Sequence, residues 1–307
     1  MRILVLGAGG VGGYFGGRLA QTGASVTFLV RQGRAAQLAQ DGLVVESRFG
    51  RIALPPSAVS AITAATAPEW DLVLLSCKAY DLDTAIAAVA PALGPDTLLL
   101  PLLNGLAHID RLDAAFGAAR VMPGVAYIAA TLEPSGVVRH LNDVHRLGFG
   151  ARDGAHPPVL QALAEALDRA KVEARLLDDP IQALWDKWTM LAPLAAMTCL
   201  MRAPVGPIVA AGGTELMRGA IAEVVAIAAA ARHAPGSGIV AAAEKALTAP
   251  GSAFAASMLR DIARDGPTEA AHVVGDLVAR AAATDLAVPL LRTAWVHLQV
   301  YEAARRG

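Results

Sequence analysis

The chain has 307 residues, of which 55% are apolar, enough for two separate hydrophobic cores and far too many for a disordered protein. With 26 basic against 27 acidic side chains there is no field to gather nucleic acid or an anionic membrane, and no basic run interleaves with aromatics. The two cysteines, Cys77 and Cys199, are far apart and lack metal-like spacing, so they read as free buried thiols of a cytoplasmic protein.

The first element is predicted from the apolar run Ile3-Leu4-Val5-Leu6, a strand buried on both faces. Because it starts at residue 2, no signal peptide is expected before it. It breaks into Gly7-Ala8-Gly9-Gly10-Val11-Gly12, followed by a helix and a second strand, Ser25 to Val30. The glycines differ in steric role. Gly7 permits the turn, Gly9 lets a pyrophosphate approach the backbone, and Gly12 lets the helix sit close to the strand. The helix start at Val11 offers free N–H groups and a positive dipole end to phosphates. A glycine-rich turn without ligand is the alternative, and the βαβ context argues against it.

The end of the second strand selects the dinucleotide. NAD sites favour an acid there for the ribose hydroxyls, whereas the NADP phosphate favours arginine. This chain reads Leu29-Val30-Arg31-Gln32-Gly33-Arg34, with no acid before Asp41, so NADP(H) is expected. Arg31 is the first choice for the 2′-phosphate and Arg34 the second, the alternative for Arg34 being a solvated residue on the next helix.

Arg34 to Gln40 then reads as a helix, and Leu43 to Val45 with Ile52 to Leu54 as a hairpin before Pro55-Pro56. Asp71 to Ser76 is a strand ending in Cys77-Lys78-Ala79-Tyr80, Asp81 to Ala90 a helix, and Thr97 to Leu103 a strand ending in Asn104-Gly105. Lys78 and Asn104 thus sit at strand ends that flank the ligand in a doubly wound sheet. The runs Val121 to Leu132, Gly136 to His140 and His145 to Gly150 are expected to be antiparallel strands closing that sheet. Pro158 to Ala170 is helical and Val172 to Leu177 a last strand. His140, His145 and Asp143 could be drawn as a metal site, but strand alternation need not aim them together and no metal is expected.

A boundary near Asp178-Asp179-Pro180 divides residues 1–178, a Rossmann-type α/β domain binding NADP(H), from residues 179–307, an α-helical substrate domain. Helical spacing is clear in Leu216, Ala220, Val224 and Ile227, in Val273, Val274, Leu277 and Val278, and in Leu291, Trp295 and Leu298. The uncharged stretch Trp188 to Met201 contains Pro193, is too short to span a bilayer and reads as a buried helix. The default place for a small substrate is the cleft between the halves. The apolar helical half is compatible with a homodimer, although such a face is more often internal core.

A reductase needs a donor for the oxygen that becomes an alkoxide. Lys187, in Leu184-Trp185-Asp186-Lys187-Trp188 at the expected start of the apolar helix, is a candidate whose pKa desolvation would lower, or else a surface lysine snorkelling at a helix start. No glycine-framed serine or Cys-His pairing suggests covalent catalysis.

The glycine turn with Arg31, Cys77-Lys78-Ala79-Tyr80, Leu103-Asn104-Gly105, Leu184-Trp185-Asp186-Lys187 and Ser257-Met258-Leu259-Arg260-Asp261-Ile262 followed by Thr268-Glu269 together resemble the ketopantoate reductase (2-dehydropantoate 2-reductase) family, in the family's order from residue 2 to residue 269. The resemblance implies NADPH-dependent reduction of a 2-oxo acid in pantothenate biosynthesis or a paralogous reaction. It implies Lys187 as proton donor, Glu269 holding the substrate or its hydroxyl, Ser257 on the carboxylate, and Lys78 and Asn104 lining the cofactor and substrate site. Taken alone, Glu269 is a first-turn acid and Ser257 a small residue on a helix face.

The chain departs from the family pattern where asparagines stand four, eight and eighteen residues after the lysine: it has Leu191, Ala195 and Val205. A drier pocket and a less hydroxylated substrate are expected. Thr198, near the same face, either supplies a hydroxyl to the substrate or bonds back to its own helix, and Arg202 either binds a carboxylate or ends the helix in solvent. Two alternatives are a dehydrogenase of a related two-domain group acting on a 3-hydroxy acid or imine, and a non-catalytic NADP(H) sensor.

Overall fold

In the computed structural model, which describes residues 1–65 and 70–306, the chain forms two compact units, Met1–Leu103 with His108–Ile181, and Asn104–Ala107 with Gln182–Gly307. Gly307, the last residue of the expected helical half, lies outside the described residues. The division differs from a single cut after residue 178, because the turn Asn104–Ala107 belongs to the second unit.

The first unit begins with β1 (Arg2–Leu6), α1 (Gly10–Gln21), β2 (Ser25–Leu29) and α2 (Gln32–Asp41). It continues through β3 (Leu43–Glu46), β4 (Ile52–Leu54), β5 (Ser60–Ile62), β6 (Leu72–Leu75), α3 (Leu82–Val89), β7 (Leu98–Pro101) and α4 (Ala107–Phe116). Five of these strands make a parallel sheet in the order β5-β2-β1-β6-β7. Its central strands are continuous apolar runs because helices cover both faces of such a sheet. The order reverses between β1 and β6, and a doubly wound sheet opens its ligand crevice at such a switch, beyond the carboxyl ends of the strands.

The later strands do not close this sheet as expected. β8 (Gly124–Tyr127), β9 (Ala130–Leu132), β10 (Val138–His140) and β11 (Arg146–Phe149) are followed by α5 (Pro158–Arg169) and β12 (Glu173–Leu176). They build two further sheets, β4-β3-β10-β9 and β12-β11-β8; ahead of β8, Val121 forms an isolated bridge with Leu99 of β7. Alternation in the sequence reports strands but not partners, and here the β3–β4 hairpin recruits β10 by parallel pairing of Val45 with Val138. Helix α1 lies between two sheets. A Cβ on Gly16 would fall 2.6 Å from Phe28 Cε1 of β2, and one on Gly13 would fall 2.8 Å from Val138 Cγ2 of β10.

The second unit is helical: α6 (Pro180–Met201), α7 (Val205–Ala210), α8 (Thr214–Ala230), α9 (Ser237–Leu247), α10 (Ser257–Ala263), a π-helical turn Ala271–Gly275 running into α11 (Asp276–Ala282), and α12 (Pro289–Arg306). Its core packs Trp185 and Trp188, with ring centroids 5.2 Å apart, and buries Met217, Ile221, Val224, Val274, Leu277 and Leu298. Burying each such side chain is worth about 1.5–3 kcal/mol. Leu216 is 39% exposed, and Met217 takes the core position in its place. Helix α6 starts seven residues before Lys187, which therefore lies inside it and not at its start. Among the described residues no helix is long and apolar enough to cross a membrane.

Candidate active site

At the end of β1 the chain turns through Gly7, whose φ of +91° is open only to glycine without strain. Ser76, just past β6, donates its hydroxyl to Leu6 O at 2.7 Å and lies 3.3 Å from Gly7 O, tying the two strand ends together. A Cβ on Gly12 would fall 2.1 Å from both Gly7 O and Ser76 Oγ, so α1 approaches the turn as closely as an unsubstituted backbone permits. Gly9 is different: a Cβ there would meet nothing within 4 Å. Open space therefore lies against the backbone at the start of α1, whose first turn carries no acid and whose cap residue makes no side-chain hydrogen bond. That is the room and polarity a dinucleotide pyrophosphate requires. Ala8 is buried and Val11 half-buried, while the lack of a Cβ on Gly10 accommodates Ala130 O of β9, only 2.5 Å from where that Cβ would fall.

Arg31 is exposed and pairs with Asp81 at 2.7 Å. The strand end lacks an acid in sequence, but the fold supplies one from 50 residues away. Arg34 is half-buried and turned inward. It donates Nε to Ala8 O at 3.2 Å and Nη1 to Gln37 Oε1 at 2.6 Å and Gly136 O at 3.1 Å, which ties the glycine turn to α2 and the β9–β10 connection. Burial lowers its pKa, and its Nη2 is buried without a hydrogen-bond partner. Lys78 is half-buried at the start of the short turn Ala79–Asp81.

The second unit brings together Lys187, Asn104 and Glu269. Lys187 Nζ donates to Asn104 Oδ1 at 2.8 Å. Desolvation pushes the ammonium down to about 8, and the Glu269 carboxylate pulls in the opposite direction. Glu269 is itself buried, at 6% exposure, next to Thr268, whose N–H and hydroxyl both donate to Glu302 Oε1 at 2.7 and 2.6 Å. A buried amine paired with an amide oxygen and a carboxylate can hold a proton for release near neutral pH.

Thr198 Oγ1 donates to Leu194 O at 2.6 Å, so its proton is spent within its own helix. Leu191 is half-buried and Ala195 and Val205 are buried, leaving the helix face beyond Lys187 apolar. Ser257 is half-buried as the first residue of α10. Arg202 ends α6 at φ +51° and lays its guanidinium over the Tyr301 ring, 5.3 Å from the centroid. Sequence reasoning passed over His272, whose half-buried ring lies on the Asn104–Gly105 turn; a lone histidine in an apolar helix carries no signal until that turn is folded against it.

Elsewhere the fold does bring His140 and His145 together, with ring centroids 6.1 Å apart, a pairing that strand alternation left open. They serve a polar aromatic cluster: Tyr14 hydroxyl bonds His145 Nδ1 at 2.7 Å, Ser47 Oγ bonds His140 Nδ1 at 2.9 Å, and Asp143 pairs with Arg48. Cys199 is buried, its thiol pushed up to about 12 by desolvation, whereas Cys77 is only half-buried; neither forms a disulfide.

The family Ketopantoate reductase PanE/ApbA matches residues 3–154, and its C-terminal counterpart matches residues 179–302. An uncharacterized oxidoreductase of Bacillus subtilis (strain 168) is 35% identical over 306 residues, 99% of this chain and 100% of that protein. The crystal structure of 2-dehydropantoate 2-reductase from Geobacter metallireducens GS-15 superposes with a TM-score of 0.88 at 30% identity, covering 97% of this chain and 99% of that one. D-mandelate dehydrogenase, solved with NADH and anilino(oxo)acetate, shares the fold with a TM-score of 0.86 at 19% identity over the whole of both chains. With both of its parts matched by the family and two relatives aligned nearly end to end, the chain belongs to the ketopantoate reductase family of oxidoreductases.

Proposed function

We propose that the protein reduces a branched 2-oxo acid of low polarity to the 2-hydroxy acid, with NADPH as reductant. The observation that carries this reading is the ammonium of Lys187, held on Asn104 Oδ1 beside buried Glu269 and poised at about 8. When bound, the nicotinamide supplies the hydride to the carbonyl carbon. Lys187 donates a hydrogen bond to the carbonyl oxygen and gives up its proton as negative charge develops there, which stabilises the transition state more than the ground state. Glu269 holds the ammonium or a substrate hydroxyl, and Ser257 meets the substrate carboxylate. Asn104 fixes the amine on one side while the substrate occupies the other.

Glycines 7, 9, 10 and 12 with Ala8 and Val11 would cradle the pyrophosphate through their backbone, with Lys78 and Asn104 contributing to the cofactor site. Arg31 would take the 2′-phosphate in exchange for Asp81, a charge-assisted and bidentate contact. Leu191, Ala195 and Val205 favour an apolar substituent on the substrate, because a site without amides cannot compensate the desolvation of extra hydroxyls. A steady-state screen of NADPH oxidation over 2-oxo acids with and without a terminal hydroxyl tests the reading. Turnover of an apolar branched member, lowered by about 10²–10⁴-fold in Lys187→Ala, is expected. Turnover confined to 3-oxo acids or imines, or none at all with cofactor bound, would overturn it.

A further inference from the structure

His272 sits three positions after Glu269, in the π-helical turn Ala271–Gly275. Widened turns of this kind recur at functional sites because they re-aim a side chain at the cost of regular hydrogen bonding. The main chain of this one is anchored to the lysine-bearing helix: Trp188 Nε1, next to Lys187 in α6, donates to Val273 O at 2.9 Å. The His272 ring lies against Gly105, which is at φ +78°, where a Cβ would fall 3.1 Å from the ring carbon Cδ2 and 2.9 Å from His272 O. The imidazole is also hydrogen-bonded to the main chain of Asn104. The charged groups facing it are Glu269, Asp276 and Arg280. Burial holds its pKa below the usual histidine value, so the ring is neutral where Lys187 titrates.

We propose that His272 is a positioning residue for the proton donor, holding the Asn104–Gly105 turn so that Asn104 Oδ1 stays on Lys187 Nζ. The contacts form one chain: imidazole to Asn104 main chain, Asn104 amide to amine. An oxygen held at 2.8 Å favours the charged amine, so release of the turn makes the ammonium easier to deprotonate. The kinetic consequence rests on Lys187 being the proton donor, whereas the positioning itself does not.

The test reads the amine directly. With only four lysines in the chain, ¹⁵N-lysine NMR resolves Lys187, assigned by the signal lost in Lys187→Ala. His272→Phe, which keeps a ring without a donor, is expected to move the Lys187 titration down by about one pH unit, the size of one weakened charge-assisted hydrogen bond. His272→Gln, which keeps a donor, restores most of it. In the Asn104→Ala background the histidine change adds nothing further. An unmoved titration in His272→Phe overturns the proposal. If that variant does not fold, His272→Leu, which also lacks a donor, replaces it, and a shift of equal size in the wild-type and Asn104→Ala backgrounds overturns the proposal. The NMR readout needs no substrate, so failure of the 2-oxo acid assay leaves it standing, while normal turnover with an unmoved titration sinks this inference alone.

Discussion

Lys187 Nζ and Asn104 Oδ1 meet at 2.8 Å although 83 positions separate the residues in the chain. The contact lies inside the second unit, because the short turn Asn104–Ala107 leaves the α/β unit to join the helices. It gives the amine a neutral acceptor, while Glu269 supplies the nearby charge that keeps a desolvated ammonium from losing its proton altogether.

The pH dependence follows from that balance. With Lys187 as the proposed proton donor, the reduction rate is expected to be flat below about 8 and to fall about tenfold per pH unit above it, while oxidation of the hydroxy acid, which would need the free amine, rises up to about 8 and levels off above it. Stability has the opposite sense from that of a lysine gaining a partner. The unfolded lysine titrates at its ordinary 10.5, so between about 8 and 10.5 the unfolded chain binds more protons and this group makes stability rise with pH. Pre-steady-state rates and urea denaturation across that window check both, and Lys187→Met should remove both slopes.

Under the proposed phosphate assignment, Arg31 and Asp81 act on cofactor choice in opposition. Arg31→Ala should weaken NADPH binding about 10–100-fold, the worth of a charge-assisted contact, and leave NADH nearly unchanged. Asp81→Asn frees the guanidinium from its 2.7 Å partner and should tighten NADPH. Titration of both dinucleotides by fluorescence measures the ratio, and an equal loss for both in Arg31→Ala contradicts the phosphate assignment.

Two glycines of one turn should fail differently. Gly12→Ala forces a methyl onto Gly7 O and Ser76 Oγ and is expected to cost about 1–3 kcal/mol of stability or more. Gly9→Ala meets no protein atom, so melting should be close to wild type while dinucleotide binding is lost to the methyl in the pyrophosphate's path. Calorimetry and cofactor titration on the pair separate the two roles.

Leu191 lies one helical turn beyond Lys187 on the same face of α6. Leu191→Asn should shift kcat/KM toward hydroxylated 2-oxo acids and away from apolar ones, by about tenfold for one new hydrogen bond to a substrate hydroxyl. A panel of paired substrates that differ by one hydroxyl gives the ratio directly.

Local chemistry along the chain was enough for the parallel sheet, the glycine turn and the helical second half, whereas Lys187 was singled out only by the resemblance to a family. Buried parallel strands are unbroken apolar runs, tight turns demand glycine, and helical faces repeat every three or four residues, so each leaves a trace over a short window. Tertiary structure alone decided which strands pair beyond residue 120, that Asn104 sides with the helical unit, and that Asp81 answers Arg31. It also turned Arg34 inward to brace Ala8, laid His272 on the Asn104–Gly105 turn, and closed Thr198 onto Leu194. Most of these are contacts between residues distant in sequence, whose geometry depends on chain closure and on competition among many polar partners. Even the local Thr198 bond depends on burial of its helix, because only the packed chain determines which partner each hydrogen-bonding group finds.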